Sequence, residues 1–290
     1  MRIKKAVIPV AGLGTRLLPA TKTVPKELLP IVDVPAIQYV VQEAVDSGID
    51  EITFVTGRGK DGIEDHFDES PELVQVLEQR GQTELVKQLK TISKMVEVVS
   101  VRQKRPLGLG HAVLCARDLV GGEPFVVLLP DDIIDAEVPC VRQLLDVFER
   151  KKESVLALRR VPKSEAHRYG IVDGKRMSRR LCRIETVVEK PKRAEAPSAL
   201  AIVGRYIFRP EIFSLLEKVA PGKGGEIQLT DGIAGLLRER HIYGYEFSGT
   251  HYDVGDKLGL VRATVAYALK RDDLREPLRK YLAQAVKERR

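Results

Sequence analysis

The chain has 290 residues, of which 43% are hydrophobic and 31% are charged. This composition is too apolar for a disordered protein and too charged for a membrane protein, and no apolar run approaches the roughly 20 residues of a membrane-spanning helix. At about 150 residues per domain, the length allows two domains. Three cysteines without a C-x-x-C pair argue against a disulfide framework or a cysteine zinc site, and they favour a cytoplasmic location.

The formal net charge of +7 raises nucleic acid as a partner. The excess is concentrated in residues 150–193, which hold fifteen Lys and Arg against five Asp and Glu. Such a basic segment serves a polyphosphate substrate as readily as it serves DNA. The chain has no Trp, and aromatic residues do not interleave with the basic ones, so surfaces for base stacking are poorly supplied. We therefore expect no nucleic-acid partner and no membrane partner.

In the first half of the chain, strand-like and helix-like segments alternate, which is typical of a mostly parallel sheet covered by helices. Short apolar runs predict strands at residues 6–10, 51–56, 96–101 and 125–129. The last of these runs lacks alternation, which indicates a strand buried on both faces. Apolar residues at helical spacing predict a helix over 37–45 that stops at Gly48, and further helices at 73–89, 109–119 and 141–150.

From residue 154 the pattern changes to strands joined by basic, turn-rich stretches. Strands are predicted at 154–161, 181–188 and 200–208, and helices at 227–240, 257–270 and 278–286. No repeat or long linker separates two domains. We predict one continuous unit with soft boundaries, in which residues 1–150 form one half, residues 151–270 complete the same sheet, and residues 271–290 form a C-terminal helix.

The predicted C-terminal helix has an apolar face among charged residues. We expect this face to pack on the body of the protein or on a neighbouring subunit of a homo-oligomer, a dimer or a tetramer. Its members are Leu278, Tyr281, Leu282, Ala285 and Val286.

The most informative stretch is a glycine-containing loop, Ala11–Pro19, directly after the first predicted strand. Glycines at the end of a strand expose backbone N–H groups without a Cβ, which suits phosphate. Leu17 stands where the dinucleotide fingerprint and the Walker motif both require glycine, and the prolines that follow exclude the uninterrupted helix of either motif. We predict an extended segment that presents cations to a triphosphate, at Arg16, Lys22 and Lys26. A plain turn with solvated charges is the alternative.

A resemblance becomes visible at this point. Residues 12–19, G-L-G-T-R-L-L-P, followed by residues 25–30, P-K-E-L-L-P, resemble the signature of the sugar-nucleotide pyrophosphorylases. Later motifs extend the resemblance over nearly the whole chain: L-G-L-G-H-A-V at 107–113, L-P-D-D at 129–132, V-E-K-P-K at 188–192, A-I-V-G-R-Y at 201–206, G-E-I-Q-L-T-D at 225–231 and Y-D-V-G-D-K-L-G at 252–259. The versions at 107–113 and 225–231 are similar to the bacterial uridylyltransferase branch that acts on glucose 1-phosphate.

The resemblance implies an α/β, Rossmann-like nucleotidyltransferase fold, with a mixed, mostly parallel sheet flanked by helices and a β-rich sugar-binding subregion. Residues 1–150 would form the nucleotide-binding half and residues 151–270 the sugar-binding half. The implied reaction transfers UMP from UTP to α-D-glucose 1-phosphate and gives UDP-glucose and diphosphate. The attacking phosphate, with a second pKa of about 6, is already largely dianionic at neutral pH and needs no general base. The protein must then hold two polyanions together, with Mg²⁺ as the expected cofactor.

The same resemblance implies which residues hold the metal and the phosphates. Asp131 and Asp253 would be the Mg²⁺ ligands, and Asp131 would also contact the nucleotide. Asp131 follows a buried strand at its carboxyl end, where open α/β sheets bind ligands, and Mg²⁺ prefers one or two carboxylates. Arg16 and Lys26 would bind the β- and γ-phosphates, and Lys190 would contact the phosphates at the reacting centre.

The remaining implied contacts concern the base and the sugar. Gln103 is assigned to the uracil edge, because a carboxamide offers a donor and an acceptor to match N3–H and O4. His111 is interpreted as loop structure or a secondary contact. The other expected nucleotide contacts are Ala11, Gly12, Gly14, Thr15 and Gly108. The expected contacts to the sugar phosphate are Asp132, Gly170, Glu189, Lys190, Val203 and Gly204, with Glu189 accepting hydrogen bonds from sugar hydroxyls.

Three alternatives share parts of this pattern. A thymidylyltransferase or an N-acetylhexosamine-phosphate uridylyltransferase would use most of the same loop residues, although the latter typically carries hexapeptide repeats that this chain lacks. An inert nucleotide-sugar-binding protein would keep the base and sugar contacts but lose Arg16, Lys26 or one aspartate. All of these residues are present.

Overall fold

The computed structural model describes residues 2–222 and 225–288. Its strands occupy the apolar runs predicted as strands and several further segments. They are β1 (Lys5–Pro9), β2 (Pro30–Ile31), β3 (Val34–Pro35), β4 (Glu51–Thr56), β5 (Glu97–Arg102), β6 (Phe125–Leu128), β7 (Asp132–Asp135), β8 (Ser154–Arg160), β9 (Gly170–Arg176), β10 (Leu181–Glu189), β11 (Leu200–Phe208), β12 (Ile242–Glu246) and β13 (Thr250–Asp253).

The helices alternate with these strands along the chain. They are α1 (Ala36–Asp46), α2 (Asp61–Asp65), α3 (Pro71–Gln79), α4 (Thr83–Ser93), α5 (Leu109–Cys115), α6 (Arg117–Val120), α7 (Cys140–Lys151), α8 (Glu211–Leu216), α9 (Leu229–Glu239), α10 (Lys257–Ala268) and α11 (Asp272–Lys287). Over the described ranges, no helix is both long enough and apolar enough to cross a bilayer.

Nine strands form one mixed sheet in the order β5-β4-β1-β6-β11-β8-β12-β10-β9. Neighbours from β5 to β6 are parallel, as are β8 and β12, and the other neighbouring pairs are antiparallel. This is the predicted class of α/β fold with a mixed sheet, but the sheet is not mostly parallel: four of its eight neighbouring pairs are antiparallel, and the parallel pairs are concentrated on the β5–β6 side. Strands from both sides of residue 150 share the sheet, and the functional division of the chain into halves stays a prediction.

The core lies on the two faces of this sheet. Val7 and Ile8 are neighbours in β1 but belong to different hydrophobic clusters, because successive side chains of a strand point to opposite faces. One cluster packs against α1, α7 and α10, and the other against α5, α8 and α9. Burial on both faces explains why β1 and β6 appear as short continuous apolar runs.

Three local predictions were wrong. The single helix expected over 73–89 is two helices, because Gly81 adopts a left-handed φ of 68° after α3 and reverses the chain. The segment after the glycine loop is not extended: it forms three single 3₁₀ turns, Thr15–Leu17, Ala20–Lys22 and Lys26–Leu28, separated by prolines. The single helix expected over 109–119 is also two helices, α5 and α6, which meet at Ala116. The C-terminal helix predicted for residues 271–290 is present as α11 and includes Pro277.

Candidate active site

A cavity of about 800 Å³ opens at the carboxyl ends of β1 and β6, where the loops that follow these strands meet β10, β11 and β13. Fifteen of the predicted site residues line it: Ala11, Gly12, Gly14, Thr15, Arg16, Lys26, Gln103, Gly108, Asp131, Asp132, Gly170, Glu189, Lys190, Gly204 and Asp253. Val203 is the exception, since its side chain is buried in the hydrophobic core, and Lys22 is exposed on its 3₁₀ turn. The Val203 side chain therefore does not reach the cavity, and the expected contact of Val203 with the sugar phosphate stays a prediction.

The glycine loop shapes one wall through its backbone. Gly14 has a left-handed φ of 66°, and a Cβ there would lie 3.2 Å from the Cβ of Lys26. The hydroxyl of Thr21 donates to the Gly14 carbonyl at 2.8 Å and holds the turn. At Gly12 a Cβ would lie 3.7 Å from Cε of Lys26. The stem of Lys26 thus packs under the loop, and this contact aims its ammonium group at the floor of the cavity.

Two aspartates and three cations meet on that floor. Nζ of Lys26 donates to Oδ2 of Asp131 at 2.6 Å. The guanidinium of Arg16 bridges the two carboxylates, at 3.4 Å from Oδ2 of Asp131 and 3.3 Å from Oδ2 of Asp253. Arg168 donates to the same oxygen of Asp253 at 2.9 Å. Cations that face two carboxylates in an open cavity are suited to receive an additional polyanion.

The two aspartates are brought together by a small antiparallel ribbon outside the main sheet. β7 follows Asp131 directly, and its first residue, Asp132, lies opposite Asp253 at the end of β13. The N–H of Val254 donates to the Asp131 carbonyl at 2.8 Å. A Cβ on Gly255 would lie 2.7 Å from Oδ2 of Asp131 and 3.1 Å from Oδ1 of Asp253. Its nearest neighbour would be Nη2 of Arg16, at 2.5 Å, so glycine at this position makes room for the guanidinium that bridges the two carboxylates.

The charges in this cluster shift one another's proton affinity. Burial lowers the pKa of Lys26, but the carboxylates of Asp131 and Glu27 outweigh burial, and the pKa lies above its ordinary value. Burial raises the pKa of Asp253, and the negative charges of Asp132 and Asp131 raise it further. Lys26 is therefore held charged, whereas Asp253 is a carboxylate that gains from additional positive charge nearby.

The arrangement fits a hard divalent cation. The carboxylates of Asp131 and Asp253 lie close enough for the single guanidinium of Arg16 to bridge them, and carboxylate oxygens are ligands that Mg²⁺ prefers. Over residues 2–222 and 225–288, no cluster of three or more metal-ligating side chains exists. An ion here would take two carboxylates from the protein and its other ligands from water and substrate, which is the usual pattern for Mg²⁺.

Asp132 has a different environment from Asp131. One of its oxygens accepts a hydrogen bond from the Gly204 N–H at 3.0 Å, and the other contacts Nε2 of His251. Burial raises the pKa of Asp132, but His251 and the buried Arg205 outweigh burial and lower it. Both oxygens are therefore engaged in joining β7 to β11 and β13. Its expected contact with the sugar phosphate stays a prediction.

The opposite wall is built from β9, β10 and α9. Glu189 accepts a hydrogen bond from the Thr230 hydroxyl at 3.1 Å, and it pairs with Nζ of Lys190 at 3.0 Å. Gly170 lies opposite Glu189 in the ladder, and a Cβ there would lie 2.9 Å from Cγ2 of Thr230. Lys190 has a left-handed φ of 42°, a conformation that non-glycine residues rarely adopt. Strained residues of this kind concentrate at functional sites.

Gln103 follows β5 and is anchored by its N–H, which donates to the Thr56 carbonyl at 2.9 Å. Its Nε2 donates to the Gly108 carbonyl at 3.1 Å and faces Nδ1 of His111 at 2.9 Å. Because a carbonyl oxygen only accepts, this contact fixes which end of the carboxamide is nitrogen. Both amide hydrogens are thus used within the protein. In the free protein Oε1 therefore remains available to a base, and the expected contact of Gln103 with the uracil edge stays a prediction.

Several cavity residues had no role assigned from the sequence. Tyr206, Glu226 and Thr230 belong to the motifs at 201–206 and 225–231, so the motifs located them without indicating what they contact. Arg168 and Tyr169 had no signal beyond the basic character of their segment. Arg168 is the last residue of the 3₁₀ stretch Lys163–Arg168, and its side chain reaches Asp253 at the end of β13.

Fold and cavity together define a class of protein: an α/β protein with cations and carboxylates clustered in a cavity at the carboxyl ends of its parallel strands, which suits a polyphosphate and a second anion. The comparisons agree with this class. Residues 5–270 match the family model described as nucleotidyl transferase. The chain belongs to the nucleotidyl transferase family.

Relatives and solved structures narrow the comparison. The chain is 52% identical to the UTP–glucose-1-phosphate uridylyltransferase of Bacillus subtilis, over 96% of this chain and 95% of that protein. The UTP-bound UGPase from Acinetobacter baumannii superposes with a TM-score of 0.89 at 41% identity, covering 97% of this chain and 99% of that chain. A UDP-glucose pyrophosphorylase complexed with UDP-glucose superposes with a TM-score of 0.85 at 40% identity, over 93% of this chain and 100% of that chain.

Proposed function

We propose that this protein transfers UMP from UTP to α-D-glucose 1-phosphate and releases diphosphate. One observation carries the proposal: a single cavity joins Arg16, Lys26 and two aspartates on one wall to Glu189 and Lys190 on the other. Relatives and solved structures of the uridylyltransferase type, at 40% to 52% identity over nearly the full chain, support uridylyl over thymidylyl transfer.

The two walls have separate tasks. On the first wall, Arg16 and Lys26 receive the β- and γ-phosphates of UTP and neutralise the charge that grows as diphosphate leaves. The loop of Gly12 and Gly14 lies against the nucleotide through backbone N–H groups. On the second wall, Glu189 accepts hydrogen bonds from the sugar hydroxyls. Residues next to these charged side chains must be small, because larger side chains would block the substrates.

The sugar phosphate attacks the α-phosphorus without help from a general base, because it is already a dianion at neutral pH. Lys190, on the strained backbone that follows β10, draws this phosphate toward the reacting centre. The main free-energy cost of the reaction is to hold two polyanions in line. Fixed cations on both walls offset this cost.

We propose that Asp131 and Asp253 hold one Mg²⁺. When bound, this ion would screen the two anions from each other and lower the charge on the transferring group. In the free protein, Arg16 and Lys26 neutralise these carboxylates. Substrate phosphates would attract the two cations away from the carboxylates, which frees carboxylate oxygens for the metal.

A diphosphate-release assay tests the function directly. Four nucleoside triphosphates are combined with several hexose 1-phosphates, with and without Mg²⁺, and the Asp131→Asn variant serves as the inactive control. UTP with glucose 1-phosphate should have the highest kcat/KM. Equal kcat/KM for dTTP and UTP would contradict the assignment to uridylyl transfer, and full activity without a divalent ion would contradict the metal site.

We further propose that the protein works as a homo-oligomer in the cytoplasm, without nucleic-acid or membrane partners. Exposed Tyr281 and Val286 on α11 support the oligomer, since large apolar side chains exposed together mark contact surfaces. Three free cysteines, two of them buried, are consistent with a reducing compartment.

A further inference from the structure

Arg205 is fully buried, and its side chain does not line the cavity. It belongs to β11, and its guanidinium forms an ion pair with Glu43 of α1. Nε lies 3.1 Å from Oε1 and 3.0 Å from Oε2, and Nη2 lies 2.7 Å from Oε2. Glu43 also accepts a hydrogen bond from the N–H of Val141 at 3.1 Å, at the start of α7. The pair therefore ties three elements of one face together.

The rest of the guanidinium contacts the loop that carries Asp131. Nη1 donates to the Leu129 carbonyl at 3.1 Å, and Nη2 donates to the Asp132 carbonyl at 2.7 Å. These two carbonyls lie on either side of Asp131 in the sequence. Nη1 also donates to the carbonyl of Gly204, at 2.9 Å, while the Gly204 N–H holds the Asp132 side chain. One buried side chain thus fixes the backbone before and after Asp131.

A buried ion pair is a costly way to stabilise a core, and apolar residues of similar volume often replace one without loss. The cost indicates a second task for the Arg205 donors that do not face Glu43. Those donors converge on the strand end that positions Asp131, whose own carbonyl receives the N–H of Val254 next to Asp253. A shift of this loop would change the separation between the two carboxylates.

We propose that Arg205 is a positioning residue for the site. It acts through the Leu129 and Asp132 carbonyls to hold Asp131 at the correct distance from Asp253, and Glu43 orients the guanidinium. The proposal deepens the proposed function and depends on it for the role of the two aspartates. Residues that support metal ligands in this way are commonly worth about 10–100-fold in metal affinity or activity.

The test separates positioning from stability. In the double variant Glu43→Leu/Arg205→Met, the ion pair is replaced by apolar side chains. The matched control is Glu153→Leu/Arg240→Met, which removes an ion pair of 2.9 Å outside the cavity. Both variants are measured for melting temperature, for kcat and KM of UTP, and for Mn²⁺ affinity in the presence of UTP by electron paramagnetic resonance.

The Glu43→Leu/Arg205→Met variant should fold with a lowered melting temperature, because three backbone carbonyls lose their donor, and should lose about tenfold or more in Mn²⁺ affinity and in kcat, with a smaller change in KM. The control variant should keep the Mn²⁺ affinity and the kcat of the unmodified protein. A folded double variant with Mn²⁺ affinity and kcat within about twofold of the unmodified protein would overturn the proposal. If the double variant does not fold, Arg205→Lys decides by the same readouts, because Lys keeps the charge but lacks the planar fork.

The Mn²⁺ measurement also distinguishes the two proposals. If the unmodified protein catalyses no uridylyl transfer but binds Mn²⁺ more tightly than the Arg205 variants do, the proposed function fails and the positioning role stands. If it transfers uridylyl groups and Mn²⁺ affinity is the same in all variants, the positioning role fails alone.

Discussion

Nζ of Lys26 lies 2.6 Å from Oδ2 of Asp131, although 105 positions separate the two residues in the chain. The contact is half-buried, with the Lys26 side chain 15% exposed and that of Asp131 20% exposed. In the free protein the cation that we propose for phosphate binding thus neutralises the carboxylate that we propose as a metal ligand. Each of the two charges compensates the other, so neither is without an oppositely charged partner before substrate binds.

The first prediction concerns the two aspartates. Asp131→Asn and Asp253→Asn should each lower kcat by roughly 100-fold or more, because each removes a carboxylate from the ligand set and even supporting partners of such ligands are worth about 10–100-fold. The double variant should lose little more than either single variant, since one ion depends on both residues. Steady-state kinetics at limiting Mg²⁺ measures this. Near-normal turnover of Asp253→Asn would make Asp253 a structural residue.

Asp253→Asn, which should lower kcat, should not lower the stability of the fold. The pKa of Asp253 is raised in the folded protein, so this carboxyl favours folding below its unfolded pKa and loses that contribution as pH rises through the folded pKa. Removing its charge should therefore raise the melting temperature at pH 7 or leave it unchanged. Because the pKa of Asp253 is raised, the unmodified protein should lose metal affinity as pH falls. This loss should occur at a higher pH than for an aspartate with an ordinary pKa.

Asp256 provides the matched control in the same segment. Burial raises its pKa, but the Gly259 N–H and Arg168 outweigh burial and lower it, so its charge favours folding above the unfolded pKa and this contribution is lost as pH falls. Asp256→Asn should retain most of the activity and should lower, not raise, the melting temperature at pH 7. Equal effects of Asp253→Asn and Asp256→Asn on both quantities would contradict this account.

The second prediction concerns base recognition. If Oε1 of Gln103 accepts from N3–H of uracil, Gln103→Ala should raise KM for UTP by the equivalent of about 1–3 kcal/mol with a small change in kcat. His111→Leu should also raise this KM, because it removes the acceptor that engages one amide hydrogen. His111→Asn should restore much of the loss, since its side-chain oxygen offers an acceptor near the position of Nδ1. Equal KM values for His111→Leu and His111→Asn would exclude this role.

The third prediction concerns a buried ion pair behind the phosphate cations. Nζ of Lys60 lies 2.7 Å from Oε2 of Glu27, and both side chains are buried. Lys60→Met should destabilise the protein by about 3–5 kcal/mol, because it leaves a carboxylate buried without a partner. The control Lys90→Met, which removes an exposed pair with Glu78, should cost less than about 1 kcal/mol. Urea unfolding measures both values.

The pH dependence of the stability that Lys60→Met loses gives a further check. Burial raises the pKa of Glu27 even with Lys60 present, and loss of Lys60 raises it further. A raised carboxyl pKa favours folding at low pH, so the deficit of Lys60→Met should shrink as pH falls from 8 to 5. A deficit that is constant over this range would show that Glu27 does not carry the effect.

The fourth prediction concerns assembly. Tyr281 and Val286 of α11 are 66% and 62% exposed, although Leu282 between them is half-buried. Sedimentation should give a dimer or a tetramer at micromolar concentration. Tyr281→Glu should shift it toward monomer. Ala283→Glu adds the same charge at an exposed position of the same helix, outside the apolar face, and should not shift it. A pure monomer of the unmodified protein would remove the intersubunit role of this helix.

Local features of the fold could be predicted from the sequence because they depend on neighbours in the chain. The apolar run 125–129 indicated a strand buried on both faces, and Phe125–Leu128 is such a strand. The glycine loop after β1 was visible because few residues tolerate the left-handed turn at Gly14. The split of α3 from α4 was missed, because the apolar spacing continues across Gly81 while the backbone reverses.

The sequence by itself determined which chemical groups stand at the ends of the strands, and the tertiary structure alone decided how they meet. No local pattern could show that β7 and β13 pair and bring Asp131 to Asp253, that Arg168 reaches the same carboxylate, or that both amide hydrogens of Gln103 are taken. Turn and strand preferences act over a few residues, whereas these contacts join positions far apart in the chain and form only when the sheet and its covering helices pack.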